Sequence, residues 1–241
     1  MRGPGAMIAG KRPRNDPGQY DDLADEWWQP RGPFAMLHWL AAARAEHIPP
    51  APSPDAVLVD LACGGGLMAP HVAPLGYRHV GVDVNLRGLQ VAREHGVTVV
   101  RGSVLAVPLA DGCADVVLAG EILEHVEDDV GVLEECARLL RPGGMLVIDT
   151  IADTWLADLI AVRIVERIPG GAPPGIHDPN LFVDRRRLLA AASRLGLDLR
   201  LTGLRPSVRD LVRWRTGRRE GVRMKPIRLT PVLFAGYGRK R

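Results

Sequence analysis

The chain has 241 residues, 46% hydrophobic and 24% charged, the balance of a globular protein with one substantial core rather than a disordered chain. No run of 18 uninterrupted apolar residues predicts a transmembrane helix, residues 1–18 lack the apolar stretch of a secretory signal, and three cysteines without metal spacing (Cys63, Cys113, Cys136) exclude a disulfide scaffold and a zinc ribbon. The net charge of +3 conceals a division, because residues 184–241 carry 17 Lys and Arg against 4 Asp and Glu. Such a segment is read either as a surface for an anionic partner or as a solvated face.

Residues 1–18 are basic, rich in Gly and Pro and without periodicity, and are expected to be a disordered tail ahead of a single domain spanning 19–241. Tyr20–Trp28 forms a short amphipathic pattern, and Pro33 opens a second helix through Phe34, Leu37 and Leu40 towards Ala45. After the break at Pro49–Pro52, apolar runs and helical patterns alternate. Strands are expected at Ala56–Leu61, His79–Val84, Val97–Val100, Ala114–Ala119 and Met145–Thr150. Helices are expected through Met68, Val72 and Leu75, at Leu86–His95 with Gly96 closing it, and at Asp129–Leu140. A helix at Asp184–Leu195 and strands at Leu197–Thr202 and Thr230–Tyr237 complete a doubly wound, seven-stranded, Rossmann-like α/β sheet with N-terminal helices. Residues 153–183 are an insertion after the fifth strand, read as a substrate lid. At 100° per residue its helix places Asp158, Arg163, Glu166 and Arg167 on one half and Trp155, Leu156, Leu159, Ile160, Ile164 and Ile168 towards the other.

Chemistry concentrates at the strand ends. Asp60-Leu61-Ala62-Cys63-Gly64-Gly65-Gly66 turns the first strand into its helix, where glycines admit a ligand close to the backbone. Asp83 ends the second strand, where a carboxylate accepts both hydroxyls of a ribose. The dinucleotide pattern Gly-x-Gly-x-x-Gly is absent. Asp60 would repel a pyrophosphate and suits the ammonium of a methionine moiety, so the pair favours S-adenosylmethionine over NAD.

Further stretches point the same way. They are Ala24-Asp25-Glu26-Trp27-Trp28 with Pro33-Phe34, Leu37-His38 and Arg44, then Cys63-Gly64-Gly65-Gly66, Glu121-Ile122-Leu123-Glu124-His125-Val126, Arg167-Ile168-Pro169, Gly175-Ile176-His177-Asp178 and Thr202-Gly203-Leu204. With them the chain resembles class I S-adenosylmethionine-dependent methyltransferases over residues 20–204. More narrowly it resembles the ubiquinone-biosynthesis 3-O-methyltransferases, which methylate catechol hydroxyls on polyprenylated rings. The resemblance implies cofactor contacts at Arg44, Ala62 (glycine in the family), Asp83 and Gly120. It adds Tyr20 as an aromatic cover over the cofactor and Ser103 as a partner for the adenine amino group. Gly64, Val84 and Val104, beside these positions, complete the expected cofactor set with Asp60.

Glu121, Glu124 and His125 sit at spacings i, i+3 and i+4 after the fourth strand, one face of a helical turn. Two readings stay open. The three hold Mg²⁺ or another divalent cation, which the family is described as needing, or the glutamates cap and pair while the histidine packs. For catalysis the candidates are His125, His177 and Glu121, with His177 either a general base beside Asp178 or a loop cap. The expected substrate is a small phenolic molecule, and residues 155–168 are either a peripheral membrane contact or an ordinary core helix. The absence of a signal predicts a cytoplasmic protein, peripheral to the inner face of the membrane if that contact forms. A methyltransferase of a soluble secondary metabolite is the rival reading. Nucleic acid is not expected as a partner, since the Arg-rich C-terminus lacks an Asn-Pro-Pro-Tyr motif and aromatic interleaving beyond Trp214.

Overall fold

The computed structural model describes residues 12–167 and 172–241. Helices α1 (Gly18–Asp22) and α2 (Ala35–Ala45) lead into a βα alternation of β1 (Val57–Leu61), α3 (Ala69–Val72), β2 (Arg78–Asp83), α4 (Leu86–Glu94), β3 (Thr98–Arg101), β4 (Ala114–Gly120), α5 (Asp129–Leu139) and β5 (Leu140–Ile151). The insertion begins with one helical turn, α6 (Trp155–Ala157). The chain returns through α7 (Arg185–Arg194), β6 (Leu197–Pro206), α8 (Val208–Arg215), β7 (Met224–Ile227) and β8 (Leu233–Lys240).

The strands form one sheet in the order β3-β2-β1-β4-β5-β8-β6-β7. β1 to β5 run parallel, and β8 is antiparallel to both β5 and β6. Parallel strands covered on both faces need near-continuous apolar sequence, and β4, Ala-Asp-Val-Val-Leu-Ala-Gly, is buried from Ala114 to Ala119. Alternation splits it between two cores. Val117 and Ala119 meet Leu133 and Cys136 of α5 and Leu188 of α7. Val116 and Leu118 face Phe34, Ala41 and Met68 on the other side. Successive connections diverge between β1 and β4, the switch point at which doubly wound sheets open a crevice beyond their carboxyl ends.

The expected elements recur with differences that have local causes. An eighth strand, β7, reads Met-Lys-Pro-Ile. Its proline cannot donate to a ladder and is tolerated because β7 is the outermost strand, which is why no strand pattern marks it. Gly143, at φ +78°, lies within β5 rather than before it, where the pairing shifts from Ala114–Leu140 to Val116–Met145. After α6 the insertion is wound as a π-helix over Asp158–Ile164 and then as a 3₁₀ turn over Val165–Arg167. The 100° wheel therefore does not hold. Ala157, Ala161, Val162 and Glu166 are buried, whereas Trp155 is 77% exposed and Leu159 and Ile164 also reach solvent. Ile168 lies outside the described residues.

Of the segment expected as a tail, residues 1–11 lie outside the described residues. Residues 12–18 lie against the body of the protein: Arg12 pairs with Asp22 at 2.6 Å, and the Asn15 amide donates to Gly175 O at 3.0 Å. No helix among the described residues is long and apolar enough to cross a membrane.

Candidate active site

A cavity of about 260 Å³ opens beyond the carboxyl ends of β1, β2 and β4. All ten residues expected to hold a cofactor line it: Asp60 within β1 with Ala62 and Gly64 after it, Asp83 at the end of β2 with Val84 after it, Ser103 and Val104 after β3, Gly120 at the end of β4, and Tyr20 and Arg44 from α1 and α2. Glu121, His125 and His177 line it too, and Glu124 does not.

The turn after β1 is built by its neighbours. Ala62 and Gly64 both have left-handed backbones, at φ +54° and +51°. A Cβ on Gly64 would meet the Trp27 ring at 2.3 Å, and one on Gly65 would meet it at 2.4 Å. The neighbouring Trp28 Nε1 donates to Gly65 O at 2.9 Å. The double tryptophan is thus a clamp over the glycine loop, a role its sequence pattern did not disclose. Asp83 accepts from the backbone amides of Gly64 (2.9 Å) and Asn85 (2.8 Å), which locks the loop to β2. Burial raises the Asp83 carboxyl above its ordinary range against those amides. Asp60 is buried beside His79, with Nε2 3.4 Å from its carboxylate.

Beneath the cavity, Arg44 and Asp149 form a buried fork, with Nε and Nη2 donating at 2.7 and 2.6 Å. Gly120 makes room for it, since a Cβ there would fall 1.9 Å from Arg44 Cζ. Burial, Glu124 and Asp149 hold the Glu121 carboxyl well above its usual range. Burial likewise pushes Glu124 up to about 7, although Thr150 Oγ1 donates to it at 2.8 Å. One oxygen of each, Oε1, is buried without a hydrogen-bond partner.

The expected face of Glu121, Glu124 and His125 does not form. The segment is not an α-turn: Glu121 has φ +52° and Leu123–His125 is 3₁₀, so spacings of three and four residues diverge. Glu124 turns inward to Thr150, and both ring nitrogens of His125 are taken, Nδ1 by Asn15 Oδ1 at 2.5 Å and Nε2 by Tyr20 OH at 3.3 Å. Among the described residues no three His, Cys, Asp or Glu side chains meet to hold a metal ion.

His125 is kept neutral, its pKa pushed down to about 3 by burial and by His177. His177 stacks on it at 5.7 Å between ring centroids. The carboxylate partner of His177 is Glu166, whose Oε1 lies 3.2 Å from Nδ1. Burial alone would raise Glu166, but hydrogen bonds from His177, the Gly175 amide and Arg14 outweigh it and hold the carboxyl down to about 2. A carboxylate only accepts, so Nδ1 presents its N–H to Glu166. Asp178, the neighbour in sequence, instead accepts from the Asn180 amide at 3.0 Å and caps the next turn. Nothing in the pattern distinguished Glu166, which a regular wheel places on the charged half.

Residues 59–148 match a family model described as a methyltransferase domain. The chain is 36% identical to the ubiquinone biosynthesis O-methyltransferase of Cupriavidus pinatubonensis, over 78% of this chain and 80% of that protein. It is 33% identical to the enzyme of that name from Cereibacter sphaeroides, over 75% and 81%. Among solved structures, a SAM-dependent methyltransferase from Thermotoga maritima, titled a possible histamine N-methyltransferase, superposes with a TM-score of 0.61 at 18% identity, covering 92% of this chain and 97% of that one. The geranyl diphosphate C-methyltransferase of Streptomyces coelicolor, solved with S-adenosyl-L-homocysteine, gives 0.59 at 18% identity, covering 84% and 77%. At such identities these structures show the shared fold.

Proposed function

The chain belongs to the ubiquinone biosynthesis O-methyltransferase family of S-adenosylmethionine-dependent enzymes, and we propose that its acceptor is a catechol or phenol hydroxyl on a ring with a prenyl tail. The observation that carries this reading is His177. Its Nδ1–H is held by a buried carboxylate, and its ring lines the same cavity as the loop after β1.

The cavity suits the cofactor. Asp60 and Asp83 bring carboxylates to it, and Arg44, the one guanidinium among its described lining residues, is engaged by Asp149. That excess of acid fits a cationic ligand with vicinal hydroxyls. Bound S-adenosylmethionine supplies a methyl group on a sulfonium. Asp83 would receive its ribose hydroxyls, Asp60 its ammonium and Ser103 its adenine edge, with Tyr20 as a cover. His177 Nε2 would take the proton of the acceptor hydroxyl as its oxygen bonds to the methyl carbon and the carbon–sulfur bond breaks, the sulfur leaving as a neutral thioether, and Glu166 would stabilise the imidazolium so formed. The proton leaves His177 for solvent after the product departs. The fold's part is alignment of the two reactants. Met36, Leu37, Ile122, Pro173 and Ile176 give the cavity an apolar wall for a hydrocarbon tail.

The test is methyl transfer from labelled S-adenosylmethionine to catechols with long, short and no prenyl tails, with and without EDTA. Turnover that rises with tail length is expected, and His177→Gln should lower kcat by about 10²–10⁴. Absence of turnover on every catechol would overturn the substrate class, and indifference to the tail would favour a soluble metabolite. Loss of turnover in EDTA, restored by Mg²⁺, would show that the reaction needs a divalent cation.

A further inference from the structure

His125 and His177 come from distant parts of the chain, one from the 3₁₀ turn after β4 and the other from the insertion. What joins them is a segment ahead of α1. We propose that Arg14 and Asn15 are positioning residues of the methyl-transfer site: Asn15 sets the tautomer of His125, and Arg14 steadies the carboxylate that orients His177. The Arg14 part rests on the reading of His177 as proton acceptor.

Asn15 has a left-handed backbone, φ +56°, a conformation its short amide side chain tolerates better than most. That conformation lets both ends of the amide reach His125. Nδ2 donates to the His125 carbonyl at 2.9 Å, and Oδ1 lies 2.5 Å from Nδ1. The carbonyl fixes which end of the amide is which, because only the NH₂ can donate to it. The oxygen therefore faces Nδ1, and Nδ1 must carry the ring proton. Nε2 is left as the acceptor for Tyr20 OH, 3.3 Å away. Tyr20 and His125 both line the cavity, so the amide determines how the hydroxyl of Tyr20 is presented there.

Arg14 reaches the other histidine. Its guanidinium forks onto Glu166 at 3.1 and 3.4 Å and also donates to the carbonyl of His177. Glu166 accepts in addition from the amides of Gly175 (2.9 Å) and His177 (3.2 Å). Two further bonds fasten the segment to the insertion: Asn15 N to Gly175 O at 3.0 Å, and Gln19 Nε2 to the same carbonyl at 3.2 Å. Residues 14–19 thus act as a strap whose contacts converge on the two imidazoles and the loop that carries one of them.

The test uses the full chain labelled with ¹⁵N-histidine, His125 being assigned by its loss in His125→Gln. Asn15→Gly keeps the left-handed backbone and removes only the amide. The wild type should show His125 as the Nδ1–H tautomer. In Asn15→Gly the ring should move towards Nε2–H, and kcat should fall by about tenfold with the thermal midpoint lowered by only a few degrees. Arg14→Ala should lower kcat by a similar factor. An unaltered tautomer in Asn15→Gly, or kcat within about twofold of wild type in either variant, would overturn the proposal. The tautomer is read without turnover. A fully active His177→Gln would therefore sink the base assignment while the spectrum still decided what Asn15 does.

Discussion

Gly120→Ala tests the packing beneath the site most directly. The added Cβ would lie 1.9 Å from Arg44 Cζ, 2.0 Å from Nη2 and 2.3 Å from Nε. Nε and Nη2 are the nitrogens that hold Asp149. The guanidinium cannot stay where it is, and moving it takes both hydrogen bonds from a carboxylate that is 1% exposed. Leaving one partner of a buried ion pair alone costs about 3–5 kcal/mol, or a fall of about 6–20 °C in the unfolding midpoint of a domain this size. Arg44→Met strands the same carboxylate and should cost a similar amount. The decisive variant is the double one. With the guanidinium gone the new methyl group has room, so Arg44→Met/Gly120→Ala should be no less stable than Arg44→Met alone, a coupling of about 3 kcal/mol in urea unfolding. Additive losses, or a Gly120→Ala protein within about 1 kcal/mol of wild type, would refute the claim that this glycine exists for the guanidinium.

Three further outcomes follow from the site and its surface. Glu124, raised from an ordinary 4.5 to about 7, contributes stability that is complete below pH 4.5 and lost as pH rises through 7; urea unfolding at pH 5 and pH 8 should show wild type losing stability that Glu124→Gln retains, and parallel losses would contradict the shift. Ala62→Gly removes a left-handed alanine worth about 1–2 kcal/mol of strain and adds about 0.4–1 kcal/mol of unfolded-state entropy, so thermal unfolding should find it equal to or slightly more stable than wild type, and a clear loss would mean the methyl group packs usefully. Trp155→Ala with Leu159→Ala removes apolar surface from the exposed side of the insertion; if that side meets lipid, sedimentation with anionic vesicles should drop about tenfold or more, and unchanged sedimentation would place any lipid contact elsewhere.

The sheet and the place of the cavity at its edge were legible because each rests on local pattern. Val-rich runs that reach Asp60 and Asp83 announce parallel strands, and all ten positions expected to contact a cofactor line one cavity. Legibility failed where backbone winding departs from regular periods. Glu121 at φ +52° and the 3₁₀ turn after it undo the spacing that gathered Glu121, Glu124 and His125. The π-winding of Asp158–Ile164 buries Glu166 and turns Leu159 and Ile164 outward. Partnerships across long separations were also invisible. Glu166 finds His177 eleven residues on, and Asn15 finds His125 across 110 positions. The Arg-rich C-terminal quarter resolves in part into ordinary structural pairs, since Arg219 and Arg223 hold the buried Asp210 and Arg187 holds Asp129.

β8 is the last strand in chain order, yet it lies between β5 and β6, with seven register pairs on one side and eight on the other. The order of assembly must therefore differ from the order of synthesis. β1 to β5 can zip together as they emerge, but β6 and β7 have no place in the sheet until residues 233–240 arrive between them and β5. Until then β5 presents an open ladder of unpaired amides and carbonyls, the edge on which chains aggregate. Closing it requires contacts nearly a hundred residues apart, a slow step on topological grounds. Nicking or trimming the chain at β8 would return the finished protein to that half-built state, with two edges open instead of none at its centre.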